Sequence, residues 1–140
     1  MKQHLMRNIN IISRCASLYR DEHLKHTGIS GWQAPYIPKI LSDPGITQDQ
    51  LAAVLHVNKS NVTRQLSMLE ENGFVERKRS ETDKRAVEVY PTKKAEEVEP
   101  EIRRVYGEWR NQLFSGMDED ERDMLEEVLE KLAKRAEDIR

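Results

Sequence analysis

Two neighbouring stretches of the 140-residue chain are rich in side chains that donate hydrogen bonds to anions and to nucleobase edges. In the first, residues 58–72, amide and hydroxyl groups stand beside basic ones. The second, residues 77–85, contains five basic residues and only two acidic ones. Arginine can bind guanine edges, asparagine and glutamine can bind adenine, and any of the basic groups can bind phosphate. The candidate donors are Lys59, Ser60, Asn61, Thr63, Arg64, Gln65, Arg77, Arg79, Lys84 and Arg85.

The first stretch is predicted to be a helix that begins after Asn58 and ends before Gly73. Asparagine is a favourable N-cap, and glycine is the usual residue just past a helix end. Val62, Leu66 and Leu69 recur at spacings of four and three, so they form one buried face. The polar candidates then lie on the opposite face, close to the helix N-terminus, where the helix dipole favours phosphate.

The second stretch is predicted to be a β-hairpin, with strands over residues 74–78 and 86–90 and a turn between them. Asp83 and Arg85 are two residues apart, and side chains along a strand alternate with a period of two. We therefore expect a mutual ion pair in which Asp83 orients Arg85.

Upstream of these stretches the pattern is helical. An apolar stripe predicts a helix over about residues 3–26, with Gly28 as its stop. Ser30 and Gln33 have capping-box spacing, which predicts a second helix over about residues 31–42. Two prolines inside that span indicate a late start or a kink: Pro35 and Pro38.

A second capping box, at Thr47 and Gln50, predicts the short helix that precedes the polar one. Its apolar residues Leu51, Val54 and Leu55 are expected to face inward. Helix, turn, helix and basic hairpin then follow one another along the chain.

Two further helices are predicted downstream. The first covers about residues 93–115, and Pro100 within it can mark its true start. Asp118 is expected to cap the second, with Glu121 at the third helical position. Apolar residues recur along this last helix in alternating steps of four and three, which is typical of a seam that packs on another helix. They are Leu125, Leu129, Leu132, Ala136 and Ile139.

The charge of the chain is distributed unevenly. Residues 1–57 carry +2, residues 58–95 carry +3 and residues 96–140 carry −7, which gives the formal net charge of −2. The sequence pI of about 6.1 is below the value of about 9 that simple basic nucleic-acid-binding domains exceed. A basic centre beside an acidic tail explains this, because the average over the chain hides a local positive surface.

Several classes of protein are excluded by what the sequence lacks. It has no run of about 18 apolar residues that could span a membrane, and its N-terminus has no uninterrupted apolar core of a signal peptide. One cysteine, Cys15, cannot form an internal disulfide, which predicts a reducing, cytoplasmic location. Common enzyme motifs for nucleophiles, metals and phosphate loops are also missing, so we expect no enzyme and no cofactor.

The central block resembles the MarR family of bacterial transcriptional regulators. It reads "GITQDQLAAVLHVNKSNVTRQLSMLEENGFVERKRSETDKRAVEVYPT". The segments that carry the resemblance are "NKSNVTR", "LEENGFVER" and "DKR" with its Asp-x-Arg spacing. The chain departs from the family at Ala95, where relatives usually have glycine.

The resemblance implies a mainly α fold with a small β-hairpin wing. A winged helix-turn-helix domain, residues 31–92, would be flanked by dimerisation helices at residues 1–30 and 93–140. It also implies a homodimer that binds double-stranded DNA at pseudo-palindromic operators, represses genes and releases DNA when an effector acts. The sequence itself agrees with a dimer, because the apolar stripes of the terminal helices are too large for one small domain to cover.

Relatives in this family bind aromatic compounds where the winged domain meets the dimer helices. The matching candidates here are Tyr19, Trp32, Tyr36 and Trp109, with Arg14 or Arg20 supplying charge for an anionic effector. Aromatic residues at helical spacing are also typical of a core, so both interpretations stay open.

Cys15 has two interpretations as well. Some relatives sense oxidants through a cysteine on the first helix, and Tyr19 lies one turn from this thiol. The alternative is a small buried core residue. His23 and His26 are three residues apart, but two histidines do not make a four-ligand site, so we expect no metal.

The serious alternative to DNA binding is a winged helix that binds another protein. Such a module would have a neutral wing and an apolar surface on its second helix. The basic hairpin and the polar helix face of this sequence favour DNA instead.

Overall fold

The computed structural model describes residues 3–139, and within them six α-helices and three short strands follow one another. A 3₁₀ turn, Lys25–Thr27, comes after the first helix. The predicted mainly helical fold with a small β-hairpin is confirmed. The elements are α1 (Leu5–His23), α2 (Tyr36–Ser42), β1 (Ile46–Thr47), α3 (Gln48–Leu55), α4 (Lys59–Glu71), β2 (Val75–Arg79), β3 (Val87–Pro91), α5 (Lys93–Leu113) and α6 (Glu119–Ile139).

The three strands form one antiparallel sheet in the order β1-β3-β2. Val89 of β3 lies opposite Ile46 on one side and opposite Arg77 on the other. The hairpin of β2 and β3 is the predicted one, shifted by a single residue. Strand β1 has only two residues, and its pairing with β3 was not predicted.

The core lies between the helix-turn-helix, the sheet and the start of α5. The predicted inward face of α4 is confirmed, since Val62, Leu66 and Leu69 are all fully buried. Each such side chain contributes roughly 1.5–3 kcal/mol through the area it removes from water. Other large core side chains are Leu24, Ile29, Ile37, Ile40, Leu51, Phe74, Val75, Val89 and Ile102.

Three predicted helix starts form the expected hydrogen bonds. Gln50 donates its backbone N–H to the Thr47 hydroxyl at 3.1 Å, and the Thr47 N–H donates to Gln50 Oε1 at 2.9 Å. Asn58 Oδ1 accepts the N–H of Asn61 at 2.7 Å. The box at Asp118 also forms, with Oδ1 accepting from the third helical residue at 2.9 Å. These caps fix where α3, α4 and α6 begin.

Helix α2 begins later than its capping box indicates. Ser30 and Gln33 exchange both capping hydrogen bonds, at 3.0 and 3.1 Å, but the next residues form a turn. The helix begins at Tyr36, directly after Pro35. This agrees with the late start that the prolines indicated, because a proline fits before or within a first turn where no N–H is needed.

The prediction that Val54 faces inward was wrong. Its side chain is 45% exposed, whereas Leu51 is fully buried and Leu55 is partly buried. Ala52 fills the inner face of α3 instead, at 6% exposure. An eight-residue helix makes only two turns, so a small residue suffices where the neighbouring elements approach closely.

Helix α5 is continuous through its proline. It begins at Lys93 and contains Pro100, so the proline does not mark the start. Pro100 lies on the exposed side, where water can satisfy the carbonyl that loses its partner. Ala95 is 1% exposed and packs in the core. The residue that departs from the family pattern therefore serves as an ordinary helix-former.

Gly31 lies against the backbone of α1. Its N–H donates to Asp21 Oδ1 at 3.0 Å, and its carbonyl accepts Arg20 Nε at 3.3 Å. A Cβ added at this glycine would lie 2.1 Å from the carbonyl oxygen of Ser17. Only glycine permits this close approach, which joins the loop before α2 to the first helix.

The described chain divides into two compact units, residues 1–106 and residues 107–140. Within the second unit, Arg122 donates to the carbonyl of Phe114 at 3.0 Å, and Phe114 is 7% exposed. Arg110 forms an ion pair with Glu126. None of the described residues of α6 is buried.

No helix within residues 3–139 is long and apolar enough to cross a membrane.

Candidate nucleic-acid interface

The outward face of α4 carries the first set of predicted site residues. Lys59, Ser60, Thr63 and Arg64 are exposed, whereas Asn61 and Gln65 are partly buried; the structure therefore brings all six to one helix. Four of the six lie in its first five residues. The first turn of α4 also has backbone N–H groups without partners inside the helix, and these add positive potential near the side chains.

Hydrogen bonds within the helix already orient several of these side chains. Arg64 Nη2 donates to Asn61 Oδ1 at 3.1 Å, which leaves the Asn61 amide nitrogen as a donor. The Ser60 hydroxyl donates to Asn58 Oδ1 at 2.8 Å. The Thr63 hydroxyl donates to the carbonyl of Lys59 at 3.0 Å. A base edge that approached α4 would therefore meet a partly ordered set of groups, which reduces the entropy lost on binding.

The wing tip is a compact turn of residues 80–86 built around Ser80. This serine is 6% exposed, and its hydroxyl accepts the backbone N–H groups of Thr82 at 3.3 Å and Asp83 at 3.2 Å. Within this turn, Lys84 and Arg85 are exposed. Arg79 donates through Nη1 to the carbonyl of Lys84, so its guanidinium braces the turn. The tip is therefore an ordered loop with two exposed basic side chains.

The predicted ion pair between Asp83 and Arg85 was wrong in its contact. Asp83 Oδ1 accepts the backbone N–H of Arg85 at 3.0 Å, and both residues lie in the turn. The side chains were expected to meet because strand alternation was assumed, and this alternation does not apply in a turn. Asp83 fixes the backbone from which Arg85 projects, as aspartate commonly does in tight turns.

Arg77 differs from the other predicted DNA contacts because its side chain is only 20% exposed. Its Nη2 donates to Glu70 Oε1 at 2.9 Å, and its backbone N–H donates to Glu70 Oε2 at 2.9 Å. The sequence alone did not predict a role for Glu70. Glu70 stands seven residues away from Arg77, and the turn from α4 into β2 lies between the two, so no helical or strand period connects them.

The Arg77 side chain, and then the Arg77 backbone N–H, hold the pKa of Glu70 below its ordinary value of 4.5. A lowered pKa stabilises the fold above the ordinary value, and this contribution is lost as the pH falls through the lowered one. We expect Glu70→Gln to reduce the free energy of unfolding at pH 7 by up to about 1 kcal/mol, since solvent screens a carboxylate that is 39% exposed.

Urea unfolding at a series of pH values would measure this effect. The difference between the wild type and Glu70→Gln should shrink as the pH falls below 4.5. Glu71→Gln neutralises the adjacent exposed carboxylate and should leave the unfolding free energy unchanged. A constant difference between the wild type and Glu70→Gln at every pH would contradict the ionic role of Glu70.

The aromatic candidates for an effector pocket lie in different environments. Tyr36 is 3% exposed and its hydroxyl has no hydrogen-bond partner among the described residues; burial raises its pKa. Trp32 is 53% exposed. Tyr19 is partly buried and stacks on His23, with 3.8 Å between ring centroids. Trp109 is partly buried and belongs to the second compact unit.

The two candidate arginines also differ. Arg14 is exposed on α1. Arg20 donates to Gly31 and to the Ser17 hydroxyl, and its guanidinium lies 5.0 Å from the ring centroid of Tyr106. Arg20 therefore has a structural role in joining elements of the first unit, which leaves Arg14 as the freer charge.

Of the two interpretations of Cys15, the single chain does not support the buried core residue, because the cysteine is exposed. His23 Nδ1 lies 2.9 Å from the carbonyl oxygen of Tyr19, and His26 Nε2 lies 3.6 Å from a Glu101 carboxylate oxygen. In residues 3–139 no group of three or more histidine, cysteine, aspartate or glutamate side chains is placed to hold a metal ion.

Helices α3 and α4, joined by a tight turn at His56 and followed by a basic hairpin, define a winged helix-turn-helix DNA-binding protein. The MarR family model matches residues 39–87, which include both helices and most of the wing. The chain belongs to the MarR family of transcriptional regulators.

Individual relatives cover most of the chain. The HTH-type transcriptional regulator BilQ of Clostridium symbiosum is 31% identical over 121 residues, which cover 86% of this chain and 84% of that protein. The transcriptional repressor MprA of Escherichia coli is 30% identical over 94 residues, covering 67% of this chain and 53% of MprA. A MarR family regulator from Listeria monocytogenes, solved with a 26-mer DNA, has a TM-score of 0.89, 26% identity, and coverage of 99% and 91%.

Proposed function

We propose that this regulator is a cytoplasmic homodimer that represses transcription by binding a pseudo-palindromic operator. In each protomer α4 enters the major groove, and the wing tip reaches the neighbouring backbone or minor groove. The observation that carries the proposal is the exposed polar face of α4 beside the exposed basic wing tip. The DNA in the Listeria structure and the repressor activity named for MprA support it.

Uncovered apolar side chains on the terminal helices support the homodimer. Only Ala16 and Ser17 of α1 are buried, and no described residue of α6 is. Large apolar patches on a soluble chain are typical of an interface. A second copy would cover them symmetrically. The exposed apolar residues of these helices are Leu5, Met6, Ile9, Ile11, Ile12, Leu18, Met124, Val128, Leu129, Leu132 and Ile139.

On this proposal residues 31–92 are the DNA-binding domain, and residues 1–30 and 93–140 are the dimerisation segments. The acidic charge of residues 96–140 supports the division, because a segment that carries −7 would be repelled by DNA. The exposed charged residues that are proposed to bind DNA all lie within residues 59–85, inside the proposed DNA-binding domain.

We further propose that a small aromatic or anionic effector relieves repression. The buried Tyr36 hydroxyl supports this, since a buried polar group without a partner favours a ligand that can hydrogen-bond to it. Arg14 is the candidate counter-charge. Exposure of Cys15 supports the alternative that oxidation of this thiol is the signal.

Selection of duplexes from a random DNA pool at about 150 mM salt, where weak backbone binding is suppressed, would test the proposal. We expect a two-fold palindrome whose half-sites lie about one helical turn, roughly 34 Å, apart. Enrichment of a single half-site would contradict the dimer. No enrichment by folded protein would instead favour the protein-interaction module.

Arg85→Ala is expected to weaken binding to the selected duplex by about 1–3 kcal/mol, the cost of a lost groove arginine. Its side chain is exposed at the wing tip, and its backbone is held by Asp83. Fluorescence anisotropy across a salt series would measure both the affinity and the salt slope.

Lys39→Ala is the matched control for Arg85→Ala. It removes one exposed positive charge from α2, outside the set of residues proposed to contact DNA. Affinity should then remain within a factor of about two, because an exposed charge that makes no contact is screened by salt. Equal losses of DNA affinity in Lys39→Ala and Arg85→Ala would show that Arg85 acts only through the overall positive charge of the protein and not through a specific contact.

A further inference from the structure

The guanidinium of Arg77 joins three elements of the DNA-binding domain. It donates four hydrogen bonds, two of them to Glu70 Oε1 of α4, from Nε at 3.3 Å and from Nη2 at 2.9 Å. The others run from Nη2 to the Ser67 hydroxyl at 3.1 Å and from Nη1 to Gln48 Oε1 of α3 at 3.2 Å. Four of its five N–H donors are therefore engaged inside the protein. We call Arg77, Glu70, Ser67 and Gln48 the Arg77 bracket.

The partners of Arg77 are themselves held in place. Gln48 Nε2 donates to the Thr63 hydroxyl at 3.2 Å, and the Ser67 hydroxyl donates to the Thr63 carbonyl at 2.9 Å. Glu70 Oε2 accepts the backbone N–H of Arg77. The bracket therefore reaches from Thr63, on the outward face of α4, to the middle of β2. Such a connected polar network favours one geometry over nearby ones.

The position of the bracket decides what it can control. Arg77 lies opposite Val89 in the sheet, and beyond it the hairpin extends to the exposed Lys84 and Arg85. A wing tip that reaches DNA must keep its distance and angle relative to α4, because a misplaced contact loses most of its free energy. The Arg77 bracket is the polar link between α4 and the first strand of that hairpin.

We propose that Arg77 is a positioning residue: it fixes the wing relative to α4 through Glu70, Ser67 and Gln48 and does not itself bind DNA. This inference rests on the proposed function and assigns roles within the same site. It replaces the DNA contact that the basic character of Arg77 predicted. Gln48 and Glu70, which carry no positive charge, become determinants of DNA affinity.

The direction in which one substitution changes DNA affinity distinguishes a positioning role from a purely electrostatic one. Glu70 is a negative charge on the helix that approaches DNA, so removing it should strengthen binding if only charge mattered. If Glu70 holds Arg77 and the wing, Glu70→Gln should weaken binding instead. The expected loss is about tenfold, the size of one charge-assisted hydrogen bond. Glu71→Gln neutralises the next carboxylate of α4, outside the bracket, and should leave binding unchanged or slightly tighter.

Arg77→Lys provides the second arm, since lysine keeps the charge but lacks the planar fork that reaches three partners. We expect it to weaken binding by about tenfold as well. The charge at position 77 is kept, so a loss of affinity would come from the lost hydrogen-bonding fork and not from a lost charge. The probe for all four proteins is the duplex selected by the wild type, and circular dichroism at the assay temperature would verify that each variant is folded.

Hydrogen exchange of the free proteins gives a readout that needs no DNA. Backbone amides of residues 75–91 should exchange faster in Glu70→Gln than in Glu71→Gln, because the hairpin has lost its link to α4. Tighter or unchanged DNA binding by Glu70→Gln, full affinity in Arg77→Lys, or unchanged exchange would overturn the proposal. If the wild type selects no duplex, the proposed function fails, and the exchange measurement still decides whether the bracket positions the wing.

Discussion

Leu129→Glu combined with Leu132→Glu is expected to convert the proposed dimer into a monomer at micromolar concentration. Both leucines lie on the seam of α6 and are 45% exposed in the single chain. In a two-fold interface the double variant would bury four carboxylates, at several kcal/mol each. Affinity for the palindromic duplex should fall by more than about 100-fold, since the second half-site is no longer bound by a linked protomer.

Sedimentation velocity on the wild type and the double variant would measure the change in mass. Lys131→Glu is the matched control, because it also changes the net charge by −2 but lies between the seam positions on α6. That control should remain dimeric. A double variant that sediments as a dimer would show that α6 does not form the interface.

Gly31→Ala is expected to reduce the free energy of unfolding by about 3 kcal/mol, at the upper end of the usual cost of overpacking. The new Cβ would lie 2.1 Å from the Ser17 carbonyl oxygen and 2.8 Å from the Asp21 backbone nitrogen. Backbone atoms cannot rotate away as a flexible side chain can. The loop before α2 must therefore move off α1, which also strains the hydrogen bonds of Asp21 and Arg20 to this glycine.

Gly107→Ala is the control, since it makes the same chemical change where space is open. A Cβ at Gly107 meets nothing within 4 Å, and the residue lies inside α5. This variant should gain about 0.5–1 kcal/mol from the higher helix propensity of alanine. Urea unfolding of both variants would test the contrast, and a stable Gly31→Ala protein would contradict the close packing of the loop on α1.

Features set by short-range contacts could be predicted from the sequence. The caps at Thr47, Asn58 and Asp118 each need a side chain and an N–H only three residues apart, and all three form. The buried face of α4 follows from a helical period that the core reinforces. The same pattern fails at Val54, because two turns of helix leave packing with neighbours to decide which residue is buried.

Features set by distant partners could not be predicted. Strand β1 has two residues, and Ile46 pairs with Val89 across the whole helix-turn-helix. The role of Arg77 depends on Gln48, 29 residues away, and no periodic pattern brings the two together. A basic residue in a wing predicts a DNA contact. The fold can instead bring a carboxylate next to it, as Glu70 lies next to Arg77 here.

The strand order β1-β3-β2 leaves β2 at an edge of the sheet, where a strand of another molecule could pair with it, although Glu70 already binds the N–H of Arg77. The sequence of β2, "VERKR", carries three positive charges and one negative charge. Lys78 and Arg79 are exposed along it, so two such edges repel each other. We therefore expect these basic residues to hinder aggregation of the DNA-free regulator through the edge of its sheet. A variant that neutralised them would risk insolubility as well as weak binding.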